Sequence, residues 1–575
     1  MLYRTSSGTA ETRIGKLTQS GERLLCIDFG PRSLLICLLV FAVCVAFFLR
    51  PGAFFVAYLL NDAVIYIEAG YRVALGQLPG LAFTNAVGVF GFVPYAIAFH
   101  LVHDSVEAIP LSFAIFGGIV FVLASLIALT RLPAVIGIIV VVACSLVMLA
   151  PFVIGDEVAG DVMTTAAMTY NRFGFLLVLL AALLTIEPRS RRSVLWQSID
   201  LAWAVAATIL AYYTKMPFGF AVAGLVAFWL VLMRRSLLGT LLFIGGCTLV
   251  AWGVEAIWPG LNAAYIREMS FAAQASSGVL HPFTLLSMIT HTAPEILALA
   301  VAPLATLFLV KRADWRDAVF VALVLGGTIL LRSQSSQGMV LVTPVAIAVI
   351  AATRLSTVDV SEPQRIALWV SLIAVVAGFA AFALPAAGAL AKHERYAAHA
   401  PAIPGMPSNY RSLRVIDDSD IDALDAAFTG HLSAAEAYAA ARTRGERLSS
   451  NSLRQSEYAH TIARLAPARE LCGGERDRTA ILDYGNISSS LFGHPPTGAW
   501  VYLHWERSFS EHAFLPAEHM FAGVGCLFDP KLPQNPPSHT GIWTVYGDYL
   551  RAHYRIAGET PYWRVYTIAP SDARP

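Results

Sequence analysis

The chain has 575 residues, of which 57% are hydrophobic and only 14% charged, with a mean hydropathy of +0.62. Soluble domains carry about a quarter charged residues, so the composition is that of a polytopic membrane protein. A formal net charge of +1 with no basic block excludes nucleic acid as a partner, because nothing could neutralise a row of phosphates.

A membrane span needs about 20 apolar residues. The first apolar run, 33–49, follows a polar segment and lacks a small-residue cleavage site, so it is expected to stay as an anchor rather than leave as a signal. Further candidate spans are 86–102, 111–129, 134–152, 173–186, 194–213, 217–233, 237–258, 293–310, 318–331, 339–353 and 366–384. The expected fold is therefore mainly α, a polytopic membrane helical bundle of about 11–13 transmembrane helices. Residues 1–32 form a cytoplasmic N-terminal segment, 33–390 the membrane domain with an outer loop at 51–85, and 391–575 a soluble region.

Lys and Arg set the orientation. They cluster before residue 33 and at Arg189/Arg191/Arg192, Arg234/Arg235, Lys311/Arg312/Arg316 and Arg354/Arg365. Placing these inside leaves the segments around Lys215, 259–292, 332–338 and everything after Pro385 outside. The early part does not close: Arg50 falls outside and Arg131 inside, yet two candidate spans lie between them. One of those segments is re-entrant, or 54–60 takes part in a crossing, or Arg131 is an exception.

After Pro385 the composition turns polar. Residues 421–442 have a helical, Ala-rich pattern, and β-type runs follow at 480–484, 500–505, 524–528 and 563–568. Strands mixed with helices predict a C-terminal soluble α/β domain. Cys472 and Cys526 lie in this region and can pair if it faces an oxidising compartment. The other five cysteines sit in or beside apolar runs, as packing residues do.

Asp62 stands just beyond the first span. Ionisable groups near a bilayer are costly and tend to mark sites, although a carboxylate at a helix end can also be a solvated flank. Ile65, Ala69, Val73 and Leu75 recur near helical spacing against polar Glu68, Arg72 and Gln77, which predicts a helix lying in the membrane interface. Gly76 to Gly80 then breaks it.

The order of Asp62, Tyr66, Ala69, Gly76, Pro79, Pro94 and Tyr95 resembles the first outer loop of GT-C-type glycosyltransferases, the polytopic enzymes that include protein O-mannosyltransferases and aminoarabinose transferases. The resemblance covers about forty residues and the general architecture. It implies a polyprenyl-phosphate-linked sugar donor, an envelope glycan, lipid or protein acceptor on the outer face, and Asp62 as general base. The second acidic residue common beside the first is absent here, where Asn61 and Ala63 flank Asp62. A divalent cation therefore stays open as a cofactor, and none is assigned.

A departing lipid phosphate needs cations, and the candidates on the outer face are Arg172, Lys215 and Arg332; ordinary snorkelling at helix ends explains any one of them equally well. Asp156, Glu157 and Asp161 are candidates for holding a metal or an acceptor, though their spacing fits no metal motif and a solvated loop fits it better. In the C-terminal region, 483–486 and 504–507 carry aromatic and amide groups suited to carbohydrate, and no nucleophile elbow or metal motif accompanies them. Two readings compete with transfer: a transporter or flippase for a lipid-linked or small polar substrate, and a non-catalytic membrane assembly protein. The Ala, Gly and Arg content suits a bacterial inner membrane, with the N-terminus cytoplasmic and the C-terminal domain periplasmic.

Overall fold

The computed structural model describes residues 27–152, 164–189, 193–275, 315–333, 342–356, 362–415 and 455–569. The candidate span 293–310, the helical run 421–442 and the acidic residues Asp156, Glu157 and Asp161 lie outside these.

The helices of the membrane part, in chain order, begin with α1 (Pro31–Leu49), α2 (Leu60–Ala74), α3 (Val93–Phe99), α4 (Ala108–Arg131), α5 (Ala134–Leu149) and α6 (Thr169–Leu184). Then come α7 (Val194–Thr214), α8 (Met216–Phe228), α9 (Leu237–Ile257), α10 (Leu261–Ala275), α11 (Trp315–Ser333), α12 (Val342–Leu355) and α13 (Glu362–His399). Among the described residues, six helical segments are long and apolar enough to cross a membrane, and α5, α6 and α12 are shorter apolar helices. Their burial divides them. On α6, Phe173 and Leu176 through Leu184 are almost wholly buried, so α6 runs through the middle of the bundle. On α1 and α9, residues such as Leu35, Leu39, Val43, Leu241 and Trp252 are exposed, which is what a helix facing lipid shows.

The two ends of the bundle are chemically distinct. At one end, Arg131 makes a bidentate pair with Asp200 at 2.9 and 3.0 Å, Arg189 reaches Asp28 at 2.6 Å, and residues 27–29 are stitched to Leu132 and Ala134. At the other end, α1 finishes at Arg50, paired with Glu394 near the end of α13.

This resolves the path between Arg50 and Arg131. Residues 86–102 do not cross: they form a single 3-10 turn at Val89–Gly91 and the seven-residue α3. Seven residues rise about 10 Å, a third of a bilayer core. Most of the stretch is apolar because protein covers it, while Ile97 and Leu101 stay exposed. Tyr95 stacks on Tyr66 at 5.6 Å, and Gly88 donates to the carbonyl of Thr214, where a Cβ would lie 2.1 Å from the Tyr213 oxygen. Residues 54–60 do not cross either, since Phe54–Val56 is strand β1. The chain crosses once, through α4.

α13 runs 38 residues through Pro385, about 57 Å at helical rise. It therefore outlasts the membrane and carries its last turns against β1, where Tyr396 stacks on Phe55 at 4.8 Å. β1 pairs in parallel with β2 (Leu413–Val415), Phe54 opposite Leu413. The C-terminal region then forms α14 (Gln455–Ala463), α15 (Leu465–Glu470), β3 (Thr479–Ile481), α16 (Ser488–Phe492), α17 (Ala517–Met520), β4 (Cys526–Pro530), α18 (Pro536–His553), β5 (Tyr554–Glu559) and β6 (Trp563–Ile568). The sheet order is β3-β4-β6-β5, with β3 parallel to β4 and the other pairs antiparallel. A disulfide joins Cys472 to Cys526 at the start of β4. The run 500–505 enters no named strand; it makes isolated bridges, Trp500 to Thr84 and Tyr502 to Gly485.

α2 does not turn its polar face to water, as an interfacial helix would. Glu68 and Arg72 are fully buried, because residues of the C-terminal region cover the polar face that water was expected to cover. Arg72 binds Glu68 at 2.9 Å and donates to the carbonyls of Thr497 and Gly498, while the other Glu68 oxygen accepts from Ser490 N at 2.8 Å. An amphipathic pattern records only that one face is polar; backbone carbonyls and amides satisfy that face as water would.

Candidate active site

Asp62 lies in the first turn of α2. Leu59 before it adopts φ 53°, in the left-handed region that a leucine rarely visits, and this turns the chain from β1 into the helix. Asp62 is partly accessible, yet protein surrounds it, so it faces a recess rather than open solvent. Asn61 Nδ2 approaches it at 3.2 Å, and the Tyr484 hydroxyl donates to the carboxylate. Among the described residues it has no ion-pair partner. Burial pushes its pKa up to about 7, and the Tyr484 hydrogen bond pulls part of that rise back.

The recess is aromatic. Tyr66, one turn along α2, lies 6.1 Å from Tyr170, edge to face. Tyr170 opens α6 behind a second left-handed residue, Met168 at φ 57°. Lys215, between α7 and α8, places its ammonium over the Tyr170 ring at 5.5 Å. From the C-terminal region come Tyr484, Tyr502 at 6.0 Å from Tyr484, and His504 at 5.4 Å from Tyr484. Burial first, and then the neighbouring Asp62 charge, holds Tyr484 well above the ordinary tyrosine range, so it stays a hydrogen-bond donor. The exposed Arg507 is close enough to act on both Tyr170 and Tyr484. Its loop turns at Glu506, φ 56°. Of the four non-glycine residues with positive φ among the described residues, three thus sit beside this recess. Such conformations cost about 1–3 kcal/mol each and collect where a site must be held in one shape.

The other expected cations have different surroundings. Arg172 is buried on α6, donates to the carbonyls of Val147 and Ala150 at the end of α5, and lies over Phe113 and Phe152 at 5.3 Å each. It caps a helix end, with the Tyr66 and Tyr95 rings in its electrostatic reach. Arg332 falls in the last turn of α11, and its side chain lies outside the described residues. Among the described residues, no three His, Cys, Asp or Glu side chains gather as a metal site. Tyr484 and His504 belong to the C-terminal patches 483–486 and 504–507 and Tyr502 to the expected strand run 500–505, with no signal in the sequence that they meet Asp62 some 420 residues away.

The helices and the enclosed acid define a multi-pass membrane protein with a chemically equipped pocket at one end of the bundle. No family profile matches the chain, and no curated protein does either. Two solved structures are similar to it: ArnT from Cupriavidus metallidurans bound to undecaprenyl phosphate, at 14% identity and a TM-score of 0.44, and the same protein in the apo state, at 13% and 0.45. Each likeness covers 94% of this chain and 98% of the other.

Proposed function

We propose that the chain is an integral-membrane glycosyltransferase of the bacterial inner membrane. It moves a sugar from a polyprenyl-phosphate donor to an envelope glycan, lipid or protein on the periplasmic face. The observation that carries this reading is Asp62: an enclosed carboxylate with no cation partner among the described residues, poised near neutrality and held by a tyrosine hydroxyl. A general base works best when its pKa lies near the operating pH.

In this mechanism Asp62 accepts the proton of the acceptor hydroxyl as that oxygen attacks the anomeric carbon. The bond from carbon to the phosphate oxygen breaks, and its electron pair leaves with the polyprenyl phosphate. Lys215, over the Tyr170 ring, and Arg507, within electrostatic reach of Tyr170 and Tyr484, meet that charge in this reading. Arg172 supports the floor by fixing the end of α5 beneath the aromatic cluster.

The test uses full-length protein in nanodiscs with polyprenyl-phosphate sugars, following release of polyprenyl phosphate. Wild type releases it; Asp62→Asn, folded and inserted, does not. Full turnover by the Asn variant would sink the assignment of the base.

A further inference from the structure

A second group of polar residues lies beyond Tyr502, and the transfer reading does not use it. A cleft of 260 Å³ opens between the 80–84 loop, α10 and residues 515–519, with Arg267 and His519 at its exposed rim and Glu268 at its floor. A smaller crevice of 10 Å³ shares Thr84 and Glu268 with it and adds Asn85, Tyr502 and Ser508.

The floor is built. Glu268 is 7% exposed, and its Oε2 accepts from Thr84 Oγ1 at 2.6 Å and from Asn85 N at 3.1 Å. Among the described residues no donor reaches Oε1. Asn85 is 3% exposed; its Oδ1 accepts from Val87 N at 2.8 Å, while its Nδ2 has no partner among the described residues. A buried amide left unpaired costs about 1–3 kcal/mol, so its retention in a polar crevice points to something that accepts from it. Tyr502 connects the two places: it lines the crevice, and both Asp62 and Glu268 act on its hydroxyl.

We propose that the cleft and the crevice beside it together form a saccharide subsite: Glu268, which lines both, accepts from one ring hydroxyl of a carbohydrate acceptor, and Asn85, which lines the crevice alone, donates to a neighbouring hydroxyl that reaches into it. The pairing of one acceptor with one donor matches vicinal hydroxyls, each of which both donates and accepts. The volume sits just below the ~300–1,000 Å³ of drug-sized sites, the scale of a single sugar ring. The assignment of the bound sugar as acceptor rests on Asp62 being the transfer base; the binding itself does not.

The test is saturation-transfer NMR on the full chain in nanodiscs, with methyl α- and β-hexopyranosides of gluco, galacto and manno configuration as probes. At least one probe is expected to bind wild type. Glu268→Gln and Asn85→Ala should each weaken binding at least tenfold, with melting temperatures near wild type showing that both variants fold. Absence of binding to wild type overturns the proposal, as does binding that survives both substitutions; the crevice would then hold water only. In turnover, Glu268→Gln should raise the acceptor KM while leaving hydrolysis of the donor by water unchanged. Equal loss of both would overturn the subsite and leave Asp62 standing, whereas a wild type inert toward every polyprenyl-phosphate sugar would do the reverse.

Discussion

Asp62 and Glu68 stand on the same helix, six residues apart, and their carboxylates are treated in opposite ways. Glu68 has an arginine at 2.9 Å and a backbone amide at 2.8 Å, and nothing about it is left to satisfy. Asp62 has a tyrosine hydroxyl and an asparagine amide at 3.2 Å, and faces a recess. The first arrangement ties the membrane part to the C-terminal region; the second leaves a carboxylate facing a recess. The two acids differ in the saturation of their partners, and the proposed base is the less saturated one.

The comparison breaks most readily at the structural end. Removing one member of a buried ion pair leaves the other charge uncompensated, at about 3–5 kcal/mol. Arg72→Met or Glu68→Ala should therefore lower the melting temperature sharply and expose residues 488–498 to protease. Wild-type stability in both variants would show that the pair is not what joins the two regions.

At Asp62 the expectation is inverted. Asp62→Asn should cost about 100- to 10,000-fold in transfer, with stability retained or improved. The folded-state pKa of about 7 lies above the ordinary value of 3.8. Between these values the native protein holds a proton that the unfolded chain has lost, so this group's contribution to stability falls as pH rises through the window. The Asn variant should match wild type near pH 4 and melt higher than it at pH 8, as calorimetry in nanodiscs can read. Wild-type transfer should climb with pH through about 7, where the carboxylate becomes available.

Reducing the Cys472–Cys526 bond, which spans 54 residues, should destabilise the C-terminal region by about 2–4 kcal/mol. Paired Ser variants with an unchanged melting temperature would refute this. The smallest effect belongs to Tyr484→Phe. Its hydroxyl favours the charged form of Asp62, so its loss should move the rise of the pH–rate profile upward by roughly one unit. A profile that stays put would mean the hydroxyl does not hold the base.

Much of this was legible in the sequence. Asp62 stood out because a carboxylate directly after a span is costly, and the spacing from Ile65 to Leu75 marked α2 as helical. Burial of the Glu68 face was not legible, since periodicity does not say what meets the polar side. Residues 86–102 read as a span because hydropathy counts apolar residues without asking whether lipid or protein covers them; Gly88, Gly91 and Pro94 were the internal warning. The meeting of Tyr484 and Tyr502 with Asp62 depends on contacts between distant segments, which no local pattern records. The strand reading at 500–505 failed for a related reason: its residues bridge to Thr84 and Gly485 instead of joining a ladder.

The seam between α2 and residues 490–498 also constrains biogenesis. Glu68 and Arg72 precede their partners by 422 to 426 residues. At a synthesis rate of roughly 5–20 residues per second, the ribosome needs about 20–80 s to supply them. Throughout that interval the nascent chain holds an acid and a base on a helix with no backbone groups to receive them, and the Asp62 recess lacks its wall. A chain terminated before residue 484 carries the helices α1–α13 and no assembled recess, because Tyr484, Tyr502 and His504 supply its wall.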